Sequence, residues 1–308
     1  MTDQATVREV GLRDGLQLVK RTLPTDIKIE WCQTQAACGF KEMEVTSFVP
    51  PKVIPQFADA ESVLKAAQSI SNMRAAVLVP NLKWGLQALD HGAKKITFVL
   101  SVSEAHNMAN VRRTTDTSIA EFAELVAERN SRGLQDKVMM SVALATTFGC
   151  SLQGEVAESR VYNVAEQVLM AGAQELNMAD TVGYGNPIQV KRILTEILRL
   201  AGKTQVAAHF HDTRGMGLAN AVAALEAGIR EFDASLGGLG GCPFAKGASG
   251  NIATEDCVYL LESLGVSTGI NIPAMLEVRK KLNSWLPDEP LEGKLLKAGL
   301  ATTFQSIV

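Results

Sequence analysis

Short apolar, β-branched runs recur along the chain with helical patterns between them, and this alternation most narrows the fold. Strands are predicted at 7–10, 42–46, 75–79, 95–100, 138–143, 175–178, 206–209 and 231–235. Helices are predicted at 26–38, 60–70, 83–91, 118–132, 155–171, 187–201, 217–227 and 254–264. A strand–helix–strand rhythm demands a parallel sheet, because each crossover returns the chain to the same end. Several helices close on a glycine, as in Ala37-Cys38-Gly39, Ala171-Gly172-Ala173 and Ala227-Gly228-Ile229. A left-handed residue there turns the chain into the next strand within a few positions. Eight such units without a Pro/Gly/Ser-rich linker favour an α/β fold of the closed (β/α)8 TIM-barrel type over an open sheet with two edges. At 308 residues the chain suits one barrel over 1–270, with a C-terminal helical extension packed on it over 271–308.

Composition excludes several function classes. A net charge of −3, with Lys and Arg spread rather than clustered, offers no field for nucleic acid. No run approaches the roughly 18–20 apolar residues of a membrane span. The start Met1-Thr2-Asp3-Gln4-Ala5-Thr6 carries no basic-then-apolar leader, so a cytoplasmic enzyme is expected. The five cysteines are scattered without a C-x-x-C pair and are expected as reduced thiols. Cys242 alone falls on a polar loop, where thiolate chemistry is available. The C-terminal extension is a candidate interface, with a homodimer as the expected assembly.

Active sites of such barrels lie at the C-terminal ends of the strands. Strand seven ends in Ala208-His209-Phe210-His211-Asp212-Thr213, and alternate side chains on a strand share a face, so both imidazoles leave side by side. Strand one runs into Gly11-Leu12-Arg13-Asp14-Gly15, strand two carries Glu42 and Glu44 on one face, and strand six leads to Asp180. After strand eight comes a glycine-rich loop from Gly237 to Asn251. Strands seven, eight and one adjoin once the barrel closes, so His209, His211, Asn251 and Asp14 can converge on one cation. Two imidazoles, a carboxylate and an amide oxygen suit six-coordinate Mg2+ or Mn2+, with zinc second. The competing readings are a hydrogen-bonded pair of core histidines and, for Asn251, a loop-capping amide.

Arg13, with Glu44 as its candidate partner, would set a fixed guanidinium beside that cation. Such charge stabilises a developing enolate by roughly 3–4 kcal/mol. The glycine-rich loop matches neither the Walker nor the G-x-G-x-x-G phosphate pattern, and reads instead as a mobile lid carrying Cys242.

The stretches Val10-Gly11-Leu12-Arg13-Asp14-Gly15-Leu16-Gln17, Thr46-Ser47-Phe48-Val49, Val79-Pro80-Asn81-Leu82-Lys83, His209-Phe210-His211-Asp212-Thr213 and positions 238–256 resemble 3-hydroxy-3-methylglutaryl-CoA lyase. The likeness runs over 7–269. It implies a divalent-metal carbon–carbon lyase acting on an acyl-CoA, with Asp14, His209, His211 and Asn251 as metal ligands. It also implies Arg13, Glu44, Asp180, Cys242 and His209 as the catalytic set. Within it Arg13 neutralises the enolate, Glu44 orients Arg13 or the metal waters, Asp180 is a base, and Cys242 moves a proton from the lid. The chain departs from the family pattern at Leu12, Leu18, Arg214, Asn177-Met178-Ala179 and around Cys150. Leu18, Asn177 and Arg214 are expected where the acyl chain is read, so a different 3-hydroxyacyl-CoA is open. A condensing enzyme resembling isopropylmalate synthase and a metal-dependent aldolase are the rival enzymes.

Overall fold

Eight strands pair side by side, all parallel, and the last closes on the first. The computed structural model describes residues 3–241 and 250–305. The barrel strands are β2 Thr6–Glu9, β3 Glu42–Ser47, β4 Arg74–Val79, β5 Lys95–Ser101, β6 Met139–Ala145, β7 Glu175–Asp180, β8 Gln205–Phe210 and β9 Glu231–Ala234. A short pair outside it, β1 Asp3–Gln4 with β10 Val266–Ser267, ties the N-terminus to the chain beyond the barrel. The helices between barrel strands are α1 Thr25–Ala37, α2 Ala60–Gln68, α3 Leu82–Asp90, α4 Glu104–Val111, α5 Thr115–Ser131, α6 Glu158–Met170, α7 Pro187–Ala201 and α8 Gly217–Ala227. The chain then adds α9 Thr254–Ser263, α10 Ile272–Trp285 and α11 Leu295–Ala298. No helix among the described residues is long and apolar enough to cross a membrane.

Helix α7 shows how the outer layer is specified. Val190, Ile193, Leu194, Ile197 and Ala201 recur at helical spacing and are buried. Asn186 accepts the Gln189 N–H at 3.1 Å, Pro187 pre-sets the first turn, and Gly202 ends it at φ +59°. Removing each large side chain from water contributes about 1.5–3 kcal/mol.

One difference from the sequence expectation borders the site: helix α4 lies outside the predicted helices, because its 8 residues are too few for periodicity to show. Ser103 caps it by accepting the His106 N–H at 3.3 Å. Helix α10 of the extension buries Ile272, Met275, Val278 and Leu282, and the ring of its C-terminal Trp285 lies tilted 6.1 Å from that of Trp31 of α1.

The barrel interior is polar. Outward positions such as Met43, Val77, Ile96, Phe98, Val142, Leu176 and Phe232 are fully buried against the helices, while the inward layer carries Arg8, Glu42, Lys95, Glu175 and Asp233. Lys95 Nζ reaches Glu42 Oε1 at 2.6 Å and Glu175 Oε2 at 2.7 Å; Arg8 reaches Glu175 at 2.8 Å and Asp233 at 2.6 Å. Each buried charge meets an opposite one, which is what permits it there. Thus Glu42 belongs to this floor and not to the mouth. Lys95→Met should cost about 3–5 kcal/mol of unfolding free energy in a denaturant titration, because two carboxylates lose their shared cation. A cost below about 1 kcal/mol would show the floor to be merely space-filling.

Candidate functional site

Above the floor the strand ends gather a second polar layer, and its centre is Asp14. Residues Gly11–Gly15 leave β2 in one wide helical turn, with the N–H groups of Arg13, Asp14 and Gly15 all converging on the Val10 carbonyl. Glu9 holds this turn from beneath. Its two oxygens accept Gly11 N at 2.7 Å, Leu236 N at 3.0 Å, Gln35 Nε2 at 2.5 Å and Thr254 Oγ1 at 2.8 Å. Burial pushes its carboxyl up to about 7 against those four donors. A side chain at Gly11 would strike Glu9 Oε1 at 2.5 Å, which requires glycine there.

Asp14 Oδ1 accepts Arg13 Nη1 at 2.7 Å, and Arg13 Nε donates to Glu44 Oε2. The guanidinium is thereby clamped at two corners, and Nη2 is left without a partner among the described residues. Asp14 Oδ2 accepts Asn251 Nδ2 at 2.7 Å and lies 3.5 Å from His211 Nε2 and 3.9 Å from His209 Nε2. Asp14, His209 and His211 are buried and have one ligand atom each within 4.8 Å of one another. His209 Nδ1 meets Asp233 Oδ2 at 3.2 Å, which orients the ring so that Nε2 faces Asp14. Asn251 is fixed beside His211 by a bridge between the two residues, and its Oδ1 is buried with no hydrogen-bond partner among the described residues. Gly240, at φ +128°, passes so close that a Cβ would sit 2.6 Å from Asn251 Nδ2.

Electrostatics follow from these contacts. Burial opposes ionisation of Asp14, yet Arg13 and the two histidines hold its carboxyl well below the usual range. Asp233 is held down likewise, by Arg8 and His209 against burial. Burial alone would lower the His209 imidazole, but the bond to Asp233 and the charge of Asp14 raise it. Burial pushes Glu44 up, opposed by Arg13.

Arg13, Asp14, Glu44, His209 and His211 all border one open cavity of about 690 Å³ at the barrel mouth. Its other walls include Ser47 of β3, Trp84 of α3, and Arg112 and Arg113 after α4.

The sequence profile of the HMGL-like family matches residues 4–282. The mitochondrial hydroxymethylglutaryl-CoA lyase of Mus musculus is 39% identical over 274 residues, covering 89% of this chain and 83% of its own. The hydroxymethylglutaryl-CoA lyase YngG of Bacillus subtilis is 38% identical over 94% of this chain and 97% of its own. The chain belongs to the HMGL-like family. Among solved structures, an HMG-CoA lyase from Acinetobacter baumannii in complex with coenzyme A and 3-methylmalate superposes with a TM-score of 0.91. It is 43% identical and covers 99% of this chain and 98% of that one.

For a member of the HMGL-like family, the residues singled out from sequence divide into three groups. Asp14, His209, His211, Asn251, Arg13 and Glu44 are brought together. Asp180 is not among the cavity-lining residues: its oxygens accept Tyr184 N at 2.9 Å and Gly185 N at 3.0 Å, and burial pushes its carboxyl up. Cys242 lies outside the described residues. Of the departures from the family pattern, Leu18 and Asn177 border the cavity, whereas Leu12 is core and Arg214 turns away. Arg214 stacks 4.5 Å over the Tyr184 ring and donates to the Val182 and Gly183 carbonyls. Sequence reasoning missed Asp233 and Glu9. The available signal was an acid within a strand, Asp233 between Phe232 and Ala234 and Glu9 between Arg8 and Val10.

Asp14 and Asp233 both have folded values below their unfolded ones. The stability they contribute is therefore complete above roughly pH 4 and is lost as the pH falls below it. Melting of the metal-free protein followed by circular dichroism should show that decline, and Asp233→Asn should flatten it. A melting temperature as steep in acid for Asp233→Asn as for the parent protein would remove Asp233 from this account.

Proposed function

We propose that this chain is a divalent-metal-dependent lyase cleaving a 3-hydroxyacyl-CoA of the hydroxymethylglutaryl type to acetyl-CoA and a keto acid, acetoacetate for hydroxymethylglutaryl-CoA itself. Family membership supports the reaction class, and the relative bound to coenzyme A and 3-methylmalate supports an acyl-CoA with a short hydroxy diacid. The single observation that carries the reading is the clamped Arg13 guanidinium beside the Asp14–His209–His211 cluster on one cavity wall.

The donor set suits a hard cation. Two imidazole Nε2 atoms face one carboxylate oxygen, the Asn251 amide oxygen lacks a partner among the described residues, and no described thiol joins them. Asp14, His209, His211 and Asn251 would hold Mg2+ or Mn2+, with Asp233 keeping the His209 ring in place. When bound, the cation acidifies the substrate hydroxyl and takes negative charge from its oxygens.

The remaining work falls to side chains. Splitting the bond beside the thioester leaves an enolate, whose oxygen needs a fixed positive charge. Arg13 supplies it, since Glu44 and Asp14 hold two of its nitrogens and leave the third for substrate. Glu44 is thus a positioning residue in this reading. Asp180, with both oxygens engaged, braces the turn after β7. Cys242 is the expected donor of the proton that turns the enolate into acetyl-CoA.

Arg13→Met should lower kcat by about 10²–10³, corresponding to about 3–4 kcal/mol of lost enolate stabilisation. Mn2+ binding measured by calorimetry should persist, because none of the proposed ligands is removed. Retained turnover would take Arg13 out of the chemistry, and lost metal binding would make it a structural prop for Asp14.

A further inference from the structure

The C-terminal extension reaches toward the metal cluster through one glycine. The turn Leu236–Gly238 after β9 carries Gly237 at φ +69°, and both backbone groups of that glycine are held from beyond the barrel. Its N–H donates to Glu255 Oε2 at 2.9 Å, in the first turn of α9, and its carbonyl accepts the Glu292 N–H at 2.7 Å. Arg279 of α10 joins these two holds. Its Nε donates to Glu255 Oε1 at 2.8 Å, its Nη2 to the Glu292 carbonyl at 2.9 Å and its Nη1 to Asn283 Oδ1. The guanidinium lies so close against Gly237 that a Cβ there would sit 2.8 Å from Nε. Arg279 and Glu255 are both buried, so each charge depends on the other.

Two residues further on, the same segment meets the proposed ligand Asn251. The Leu239 carbonyl accepts Asn251 Nδ2 at 3.1 Å, and Asp14 Oδ2 accepts the same nitrogen at 2.7 Å. A carbonyl and an ionised carboxylate only accept, so the amide has one orientation, with Oδ1 as its other end. Gly250, just before Asn251, packs so tightly that a Cβ would strike the Gly238 and Gly240 carbonyls. A shift of the turn therefore displaces the Leu239 carbonyl, one of the two acceptors that orient the amide.

We infer that Arg279 is a positioning residue for the proposed metal site: through Glu255, Glu292 and Gly237 it fixes the turn that orients the Asn251 amide. The C-terminal extension is then part of the site's support. This rests on the reading of Asn251 as a ligand of a divalent cation. A buried ion pair holds little advantage in stability over apolar side chains packed in its place. What the pair gives here is geometry, since apolar packing would leave Gly237 N–H and the Glu292 carbonyl without partners.

Calorimetric titration of the metal-free protein with Mn2+ tests this, together with hydrogen exchange at the Glu292 amide followed by mass spectrometry. Arg279→Met should weaken Mn2+ binding by about tenfold or more, the scale on which groups that hold a metal ligand act. That variant leaves Glu255 a bare buried charge, so Arg279→Met/Glu255→Gln removes the charge with its cation and should show the same loss. Leu282→Ala loosens the packing of the same helix without removing any of these hydrogen bonds, and should leave Mn2+ affinity unchanged. Coupling is reciprocal, so in the parent protein Mn2+ should slow exchange of the Glu292 amide, a measurement that needs no variant to fold. Unchanged affinity in the Arg279 variants, an equal loss in Leu282→Ala, or a Glu292 amide indifferent to Mn2+ overturns the inference alone. A parent protein that binds no Mn2+ overturns the metal reading and this one with it.

Discussion

One buried carboxylate, Asp233, carries the load between the floor of this barrel and its chemistry. Arg8 approaches one oxygen from below, and His209 and Asn177 meet the other from above. Without Arg8 the carboxylate would be an unpaired charge in a water-poor interior, and without the carboxylate the His209 ring would have no reason to present Nε2 to Asp14. The floor network of Arg8, Lys95, Glu42 and Glu175 is therefore more than a substitute for an apolar core. It is the support from which the ring orientation is set.

A second anchor sits one strand away. Glu9 gathers donors from α1, the start of α9 and the turns after β2 and β9, so the Arg13–Asp14 turn is tied to three other elements by one side chain. The segment from Gly250 to Ala253 returns along the end of β8 and pairs His211 with Asn251 and Ser235 with Ala253. Arg13, Asp14 and Asn251 thus come from loops, yet each is held by buried hydrogen bonds as firmly as a strand residue. Preorganisation of this kind is what electrostatic stabilisation of an enolate needs, because a mobile charge would relax toward water instead.

Much of this was legible in the residues. Strand–helix alternation gave all eight barrel strands within one or two positions, because apolar periodicity and glycine stops are local properties. The His209/His211 pair declared its shared face through the two-residue period of a strand, and Arg13-Asp14 declared itself by position at a strand end. Helix α4 escaped because it is too short for its period to be seen. Asp180 was placed correctly at the end of β7, but its side chain's partners, the Tyr184 and Gly185 amides, are set by a turn whose shape no periodicity reports.

The sequence by itself determined the barrel, the donor types available to a cation and the family, since these depend on order along the chain and on side-chain chemistry. Only the tertiary structure decided which inward acids belong together. Glu42 and Glu44 are two residues apart and share a face, yet Glu42 pairs with Lys95 in the floor while Glu44 clamps Arg13 at the cavity. It likewise separated Asn177, held onto Asp233, from Arg214, turned onto Tyr184. The physical reason is that a charge or amide takes its role from the partners that closure of the barrel brings within about 3 Å, and those partners lie up to 245 residues away in the chain.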